Sequence, residues 1–122
     1  MKLRIRGNSI RLRLTQSEVE TIKETGLVEE KTEFPNGQFF VYLLAASEKN
    51  DRLSAEFSDG RMQIILPKSM AENWANSEEV EIAGEIGSLK ILVEKDFKCL
   101  TPRAGDEDTD TFPHPKEVSH DC

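Results

Sequence analysis

The chain has 122 residues, with 23 acidic against 16 basic side chains and a formal net charge of −7. This length favours a single domain that removes roughly 65% of its unfolded surface from water without a disulfide or metal, and the negative charge argues against a general nucleic-acid binder. The sequence has two cysteines, no apolar signal segment behind Met1 and no apolar run longer than eight residues. We therefore predict a cytoplasmic protein with free thiols and no membrane span.

The first fourteen residues alternate between apolar and basic or polar side chains, which is typical of strands. Gly7-Asn8 predicts a two-residue hairpin turn, which places Ile5 opposite Ile10 and Arg4 opposite Arg11. One face of this hairpin then carries five cations and no acid: Lys2, Arg4, Arg6, Arg11 and Arg13. Because like charges opposite each other cost about 0.2–1 kcal/mol per pair, we expect an anion to answer this face.

A short surface helix is predicted next. Thr15 to Glu18 fits a capping box, and Gly26 supplies a left-handed stop. Only Val19 and Ile22 are apolar between these signals. The helix therefore covers one end of the sheet.

The central strand is predicted at Phe39–Ala46, the longest apolar run, with both of its faces buried. A mixed strand at Leu27–Phe34 precedes it, joined by a turn at Pro35-Asn36-Gly37.

A second hairpin is indicated at Leu53–Leu66. A type I′ turn at Asp59-Gly60 pairs Phe57 with Met62 and puts the apolar side chains on one face. Ser69 to Glu72 fits another capping box, which predicts a helix anchored by Trp74.

Two final strands are predicted, around Val80–Ile82 and Leu89–Val93, with a loop bracketed by Gly84 and Gly87. We find no internal repeat beyond the hairpin pattern. From Thr101 onward prolines and acids dominate, so we predict one domain over residues 1–100 and an acidic tail over residues 101–122. The expected fold is α+β: one mostly antiparallel, strongly curved sheet or partly open barrel of six to eight strands, with two short helices.

The five cations form the first candidate site. Clustered guanidinium groups bind phosphate oxygens bidentately, so the face suits a phosphate, a nucleotide or an RNA backbone. The alternative is internal compensation by Glu29, Glu30 and Glu33 or by the acidic tail. No aromatic residue is interleaved on the basic side, which disfavours single-stranded nucleic acid as the partner.

The tail offers a calcium-like spacing. Asp106, Asp108, Asp110 and Glu117 fall at positions 1, 3, 5 and 12 of such a loop. Position 6 should be glycine and is Thr111, so a solvated acidic tail is the favoured interpretation.

Zinc-type ligands also occur near the carboxyl end, at Cys99, His114, His120 and Cys122. Their gaps lack the close Cys-x-x-Cys pair that makes a zinc site specific. For catalysis, Cys99 and His114 form the one nucleophile and base pair to consider, and no neighbouring residue activates the thiol.

Two stretches resemble a family of small uncharacterised bacterial proteins: MKLRIRGNSIRLRLTQSEV at Met1–Val19 and ILVEKDFKCL at Ile91–Leu100. The resemblance covers most of the chain. It implies a bacterial cytoplasmic protein and carries no assigned activity, so it adds no functional residue.

The leading hypothesis is a non-enzymatic binding module whose cationic hairpin faces an anionic ligand, a protein partner or the chain's own acidic segments. The alternative is a protein that binds zinc or another divalent cation through Cys99 and tail residues. We expect no cofactor and no membrane partner, and the sequence is compatible with a homo-oligomer. An enzyme is the less favoured class.

Overall fold

The computed structural model describes residues 1–97, which form eight strands and two helices. This confirms the α+β class. In chain order the elements are β1 (Lys2–Arg6), β2 (Ser9–Leu14), α1 (Gln16–Thr25), β3 (Leu27–Glu33), β4 (Phe39–Ser47), β5 (Ser54–Ser58), β6 (Arg61–Pro67), α2 (Lys68–Asn76), β7 (Glu81–Ile86) and β8 (Leu89–Lys95). The predicted domain boundary at residue 100 lies outside the described residues.

The strands form two four-stranded sheets. The first sheet has the order β1-β2-β8-β7 and the second has the order β3-β4-β6-β5. Each sheet joins two antiparallel hairpins through a parallel central pair, β2 with β8 and β4 with β6. The expected six to eight strands, two helices and mostly antiparallel pairing are confirmed. The expectation of one strongly curved sheet or partly open barrel was wrong, because the strands form two mixed sheets. Alternation along the chain identifies hairpins, but it does not determine which hairpins lie side by side.

The chain is built from two similar halves, which the sequence analysis missed. Residues 2–47 and residues 54–95 each follow the order strand, strand, helix, strand, strand, and each half gives one hairpin to each sheet. Residues at equivalent places are similarly buried, 52 positions apart: Leu12 and Ile64, Leu14 and Leu66, Ile22 and Trp74. The repeat lies in element order and burial, and only a minority of equivalent positions, such as Leu14 and Leu66, carry the same residue.

One hydrophobic core unites both sheets and both helices. Trp74 is fully buried, and its indole Nε1 donates a hydrogen bond to the carbonyl of Val80 at 3.1 Å. The ammonium of Lys95 lies 5.7 Å from the centre of the same ring. This side chain therefore ties α2 to the end of the first sheet, as predicted for the anchor of this helix.

The central strand β4 has both faces buried only at its middle. The neighbouring residues Leu43 and Leu44 point to opposite faces and are 2% and 0% exposed. Phe39, at the start of the strand, is 44% exposed. The face of the second sheet turned away from the core is thus partly apolar.

Two local predictions need correction. Helix α2 begins at Lys68 after Pro67, with no side-chain cap, so the expected box at Ser69 does not form. Gly84 lies inside β7 rather than in a loop, and a side chain there would come within 2.6 Å of Leu53. The absence of a Cβ at this position allows Leu53 to enter the core.

The second hairpin offers a test of turn geometry. Asp59 and Gly60 both have positive φ, 51° and 73°, which confirms the type I′ turn. A Cβ on Gly60 would lie 2.8 Å from the carbonyl oxygen of Phe39. We expect Gly60→Ala to lower the free energy of unfolding by about 2–4 kcal/mol, since it adds a backbone collision to the strain of positive φ.

Gly37→Ala is the matched control for urea denaturation. Gly37 has a φ of 86° and no atom within 4 Å of the added Cβ. Its loss should be about 1–2 kcal/mol, the cost of strain alone. Equal losses in the two variants would contradict the close approach at Gly60.

Candidate anion-binding surface

The predicted register of the first hairpin is confirmed. Lys2 pairs with Arg13, Arg4 with Arg11, and Ile5 with Ile10. Leu12 and Leu14 are fully buried, so the face opposite them is the outer face of the first sheet. The five predicted cations share it, and we call this set the basic surface: Lys2, Arg4, Arg6, Arg11 and Arg13.

An acid from the far end of the chain enters the basic surface. Parallel pairing of β2 with β8 places Glu94 beside Arg13. Nε and Nη2 of Arg13 each lie 2.8 Å from Oε1 of Glu94, and Nε of Arg11 lies 3.8 Å from the same oxygen. Glu94 is only 5% exposed. Its carboxylate is thus held between two guanidinium groups and largely removed from water.

Within residues 1–97 the compensating acids are not the Glu29, Glu30 and Glu33 that the sequence suggested, and the acidic tail lies outside the described residues. Besides Glu94, Asp96 lies 3.6 Å from Nζ of Lys2. Glu29 instead bonds Arg61 at 2.9 Å. Together with Glu30 and Glu33 it belongs to β3 of the second sheet. Sequence reasoning missed Glu94 because its position next to Arg13 depends on a parallel pairing that no local pattern reveals.

Two of the five cations carry no ion pair to any other residue of the described part. Arg4 and Arg6 are exposed on β1, which is an edge strand of the first sheet. Lys90 on β8 is also exposed and lies on the same face, beside Ser9. Within residues 1–97 the basic surface therefore has a centre neutralised by Glu94, whereas Arg4 and Arg6 on β1 lack an acidic partner.

The equivalent face of the second sheet lacks the cations of the basic surface. By the relation between the two halves, Gln63, Ala45 and Ile65 occupy the places of Arg11, Glu94 and Arg13. The places of Lys2, Arg4 and Arg6 are taken by Ser54, Glu56 and Ser58 on β5. The architecture therefore forms without a cationic outer face.

The amino group of Met1 fixes the start of β1. It donates hydrogen bonds to Glu18 of α1 and, at 2.8 Å, to Glu30 of β3. The hydroxyl of Tyr42 donates to the Met1 carbonyl at 2.9 Å. These contacts join the edge of the first sheet to α1 and to the second sheet.

The same contacts shift the pKa values of the groups involved. Burial alone would lower the pKa of the Met1 amine, but the hydrogen bonds to Glu18 and Glu30 outweigh it and raise this pKa above 8.0. Burial opposes the shift of Glu18 too, yet bonds from the amine and from Thr15 lower its pKa below 4.5. Burial, together with the charges of Glu30 and Glu18, raises the pKa of Tyr42.

Residues 1–116 match the family described as "Family of unknown function (DUF7009)". The chain belongs to this family. Comparisons with curated proteins and with solved structures gave no match. Membership of DUF7009 confirms the predicted resemblance to an uncharacterised family, whereas a bacterial source stays a prediction.

The metal and thiol candidates of this DUF7009 chain lie outside the described residues, so the alternative function stays a hypothesis. They are Cys99, Asp106, Asp108, Asp110, His114, Glu117, His120 and Cys122. Within residues 1–97 no three metal-binding side chains come together. Neither helix of that region has the length and apolar character needed to span a bilayer.

Neutralising Glu94 tests the centre of the basic surface. Glu94→Gln removes the charge that faces Arg11 and Arg13 and leaves the shape of the side chain nearly unchanged. We expect the free energy of unfolding to fall by about 1–3 kcal/mol in chemical denaturation, because the guanidinium of Arg13 is mostly buried beside this carboxylate.

Glu85→Gln is the matched control, since Glu85 is an exposed acid on β7 of the same sheet. It should change stability by less than about 0.5 kcal/mol. A loss in Glu94→Gln no larger than that of this control would contradict a structural ion pair.

Stability should decrease at both acidic and alkaline pH, because Glu18 is protonated at acidic pH and the Met1 amine loses its proton at alkaline pH. The lowered pKa of Glu18 gives a contribution that is complete above its ordinary value of 4.5 and is lost as pH falls through the folded pKa. The raised pKa of the amine gives a contribution present below its ordinary value of 8.0 and lost as pH rises through the folded pKa. Urea midpoints of protein without an N-terminal tag should therefore be highest between these limits.

Glu18→Gln should flatten both flanks of that profile, since it removes one titrating partner and weakens the other's shift. Glu20→Gln, an exposed neighbour on the same helix, is the control and should keep the profile. Identical profiles in the two variants would show that the amine and Glu18 are not coupled.

Proposed function

We propose that this protein is a non-enzymatic binding module that holds an anionic ligand or protein partner on the basic surface. One observation carries the proposal: Arg4 and Arg6 are exposed side by side on an edge strand and have no acidic partner within residues 1–97. The equivalent places on β5 hold Glu56 and Ser58. The fold therefore does not require arginine at these two positions.

The ion pair at the centre of the basic surface leaves the cations at its edge available to an external anion. Glu94 holds the guanidinium of Arg13 in place, so this side chain needs no external anion. Arg4 lies opposite Arg11, whose guanidinium is 3.8 Å from Glu94 and one-third exposed. An incoming anion would thus meet Arg4, Arg6 and the accessible side of Arg11, and planar guanidinium groups favour phosphate or carboxylate oxygens.

The overall charge of the chain limits the class of partner. A net charge of −7 repels a long polyanion before local cations can hold it, so extended nucleic acid is disfavoured. A compact anion or a short acidic segment meets less of this repulsion. We place the binding in the cytoplasm of a bacterial cell, a proposal that rests on the family resemblance and on the low cysteine content of the sequence rather than on the fold.

Inorganic tripolyphosphate is a suitable probe because it is small and multiply charged. Isothermal titration should show binding at about 0.02 M salt and a loss of about tenfold or more in affinity at about 0.5 M salt, where exposed charges are screened. Reversing two charges in Arg4→Glu with Arg6→Glu should abolish the binding.

The control reverses two exposed cations elsewhere, Lys49→Glu with Arg52→Glu in the segment between β4 and β5. It changes the net charge by the same amount and should keep most of the affinity. If both double variants lose binding equally, the effect comes from net charge, and the basic surface is not the site.

A further inference from the structure

The side of β1 that faces away from β2, which we call its free side, presents main-chain hydrogen-bonding groups. Among the strands of residues 1–97, β1 pairs with β2 alone. The two-residue turn at Gly7-Asn8 is flanked by Arg6 and Ser9, which therefore exchange both of their main-chain hydrogen bonds. Because bonded and non-bonded pairs alternate along a hairpin, the N–H and C=O groups of Leu3 and Ile5 point to the free side.

The two faces of this edge favour different side chains in an added strand. Lys2, Arg4 and Arg6 lie on the outer face at intervals of about 6.8 Å. Leu3 and Ile5 lie on the opposite face, where Leu3 packs against the core and Ile5 is 55% exposed. Since opposite residues on neighbouring strands point to the same face, an added strand would set acids beside the cations and apolar residues beside Leu3 and Ile5.

The other three edge strands of the described region carry acids on their outer faces. These acids are Glu29 and Glu33 on β3, Glu56 on β5, and Glu81 and Glu85 on β7, and only β3 adds a cation there, Lys31. The strand β1 has three cations and no acid. An acidic strand is therefore repelled by three of these edges and attracted by one.

We infer that the partner of the basic surface is an extended segment of another protein, with acidic and apolar residues in alternation, which pairs with the free side of β1 as an added strand. The inference rests on the proposed function and deepens it, because it names the class of partner. Main-chain hydrogen bonds supply affinity in this mode of recognition, and the alternating side chains supply specificity.

A second copy of the chain is the competing occupant. Its β1 would set cation against cation, which disfavours a symmetric pair. Its β7 has acids at alternate positions, Glu81 and Glu85, and could pair with β1. That contact joins two different surfaces and so continues from copy to copy without closing, unless the rotation happens to form a ring. A separate acidic segment satisfies the edge of β1 without this open assembly.

The probe is a blocked pentapeptide, acetyl-Glu-Val-Glu-Val-Glu-amide, whose length matches that of β1. It is titrated into the full chain at about 0.02 M salt, where exposed charges are little screened. The control peptide has the order Glu-Glu-Glu-Val-Val, which keeps the composition and net charge and removes the alternation. The alternating peptide should bind about fivefold or more tighter than this control. Equal affinities would overturn the inference.

N-methylation of the peptide separates main-chain pairing from attraction between charges. In a paired strand the amides of alternate residues face β1, so these are either the valine amides or the glutamate amides. Methylating the amides that face β1 removes the donors and should weaken binding by about tenfold or more, whereas methylating the other set should leave the affinity nearly unchanged. If the two methylated peptides bind equally, the peptide is not held as a strand.

Ile5→Pro is the corresponding change in the protein. Proline removes the donor of Ile5 on the free side and keeps all five cations, and edge strands accept proline where the N–H faces solvent. The variant should lose about tenfold or more in affinity for the alternating peptide and should bind tripolyphosphate as the unchanged chain does. Ile5→Val keeps the donor and should bind both ligands. Equal peptide affinity in the two variants would contradict pairing at this edge, and the methylated peptides give the same information without altering the protein.

The two ligands distinguish failure of this inference from failure of the proposed function. If tripolyphosphate binds and the alternating peptide does not, the added strand is wrong and the proposed function stands. If neither ligand binds, the proposed function fails as well. Sedimentation of the protein alone tests the competing occupant: a monomer at all concentrations supports a separate partner. Assemblies that grow with concentration and are dissociated by the peptide would assign the edge to a second copy and overturn the inference.

Discussion

The parallel pairing of β2 with β8 is the constraint on which the rest of the structure depends. It brings together residues more than 80 positions apart, joins the two hairpins of the first sheet and places Leu12 beside Val93 in the core. On the other face of the same two strands it places Glu94 beside Arg13. One pairing therefore stabilises the core and offsets the repulsion among the cations of the first hairpin.

Comparison of the two related halves distinguishes the residues that the fold requires from those that it does not require. Positions that face the core are filled in both halves by large apolar side chains, such as Leu12 and Ile64. Positions on the outer faces differ in charge: Arg11 and Arg13 lie where Gln63 and Ile65 lie in the second sheet. Because the second sheet forms without a basic surface, the arginines add a property that folding does not require. This internal comparison supports binding more directly than the sequence of the first hairpin does.

Local physics made part of this structure predictable. The alternation around Gly7-Asn8 and Asp59-Gly60 gave the registers of two hairpins, and the box from Thr15 to Glu18 gave the start of α1. The sheet order was not predictable, since a hairpin pattern does not specify its neighbour. The register of the first hairpin was enough to place the five cations on one face. Their partner Glu94 could not be identified, because its position depends on which hairpin lies beside the first one. The box at Ser69 failed because the helix already begins at Lys68, directly after Pro67.

The central claim is that the outer face of the first sheet binds an anion, and chemical-shift mapping tests it most directly. Amide and guanidinium resonances are followed while tripolyphosphate is added to the full chain at low salt. The account predicts saturable shifts confined to β1 and the outward-facing residues of β2, largest at Arg4 and Arg6, and nearly none on the second sheet. Shifts centred on another region, or an unperturbed β1 at saturating ligand, would contradict it.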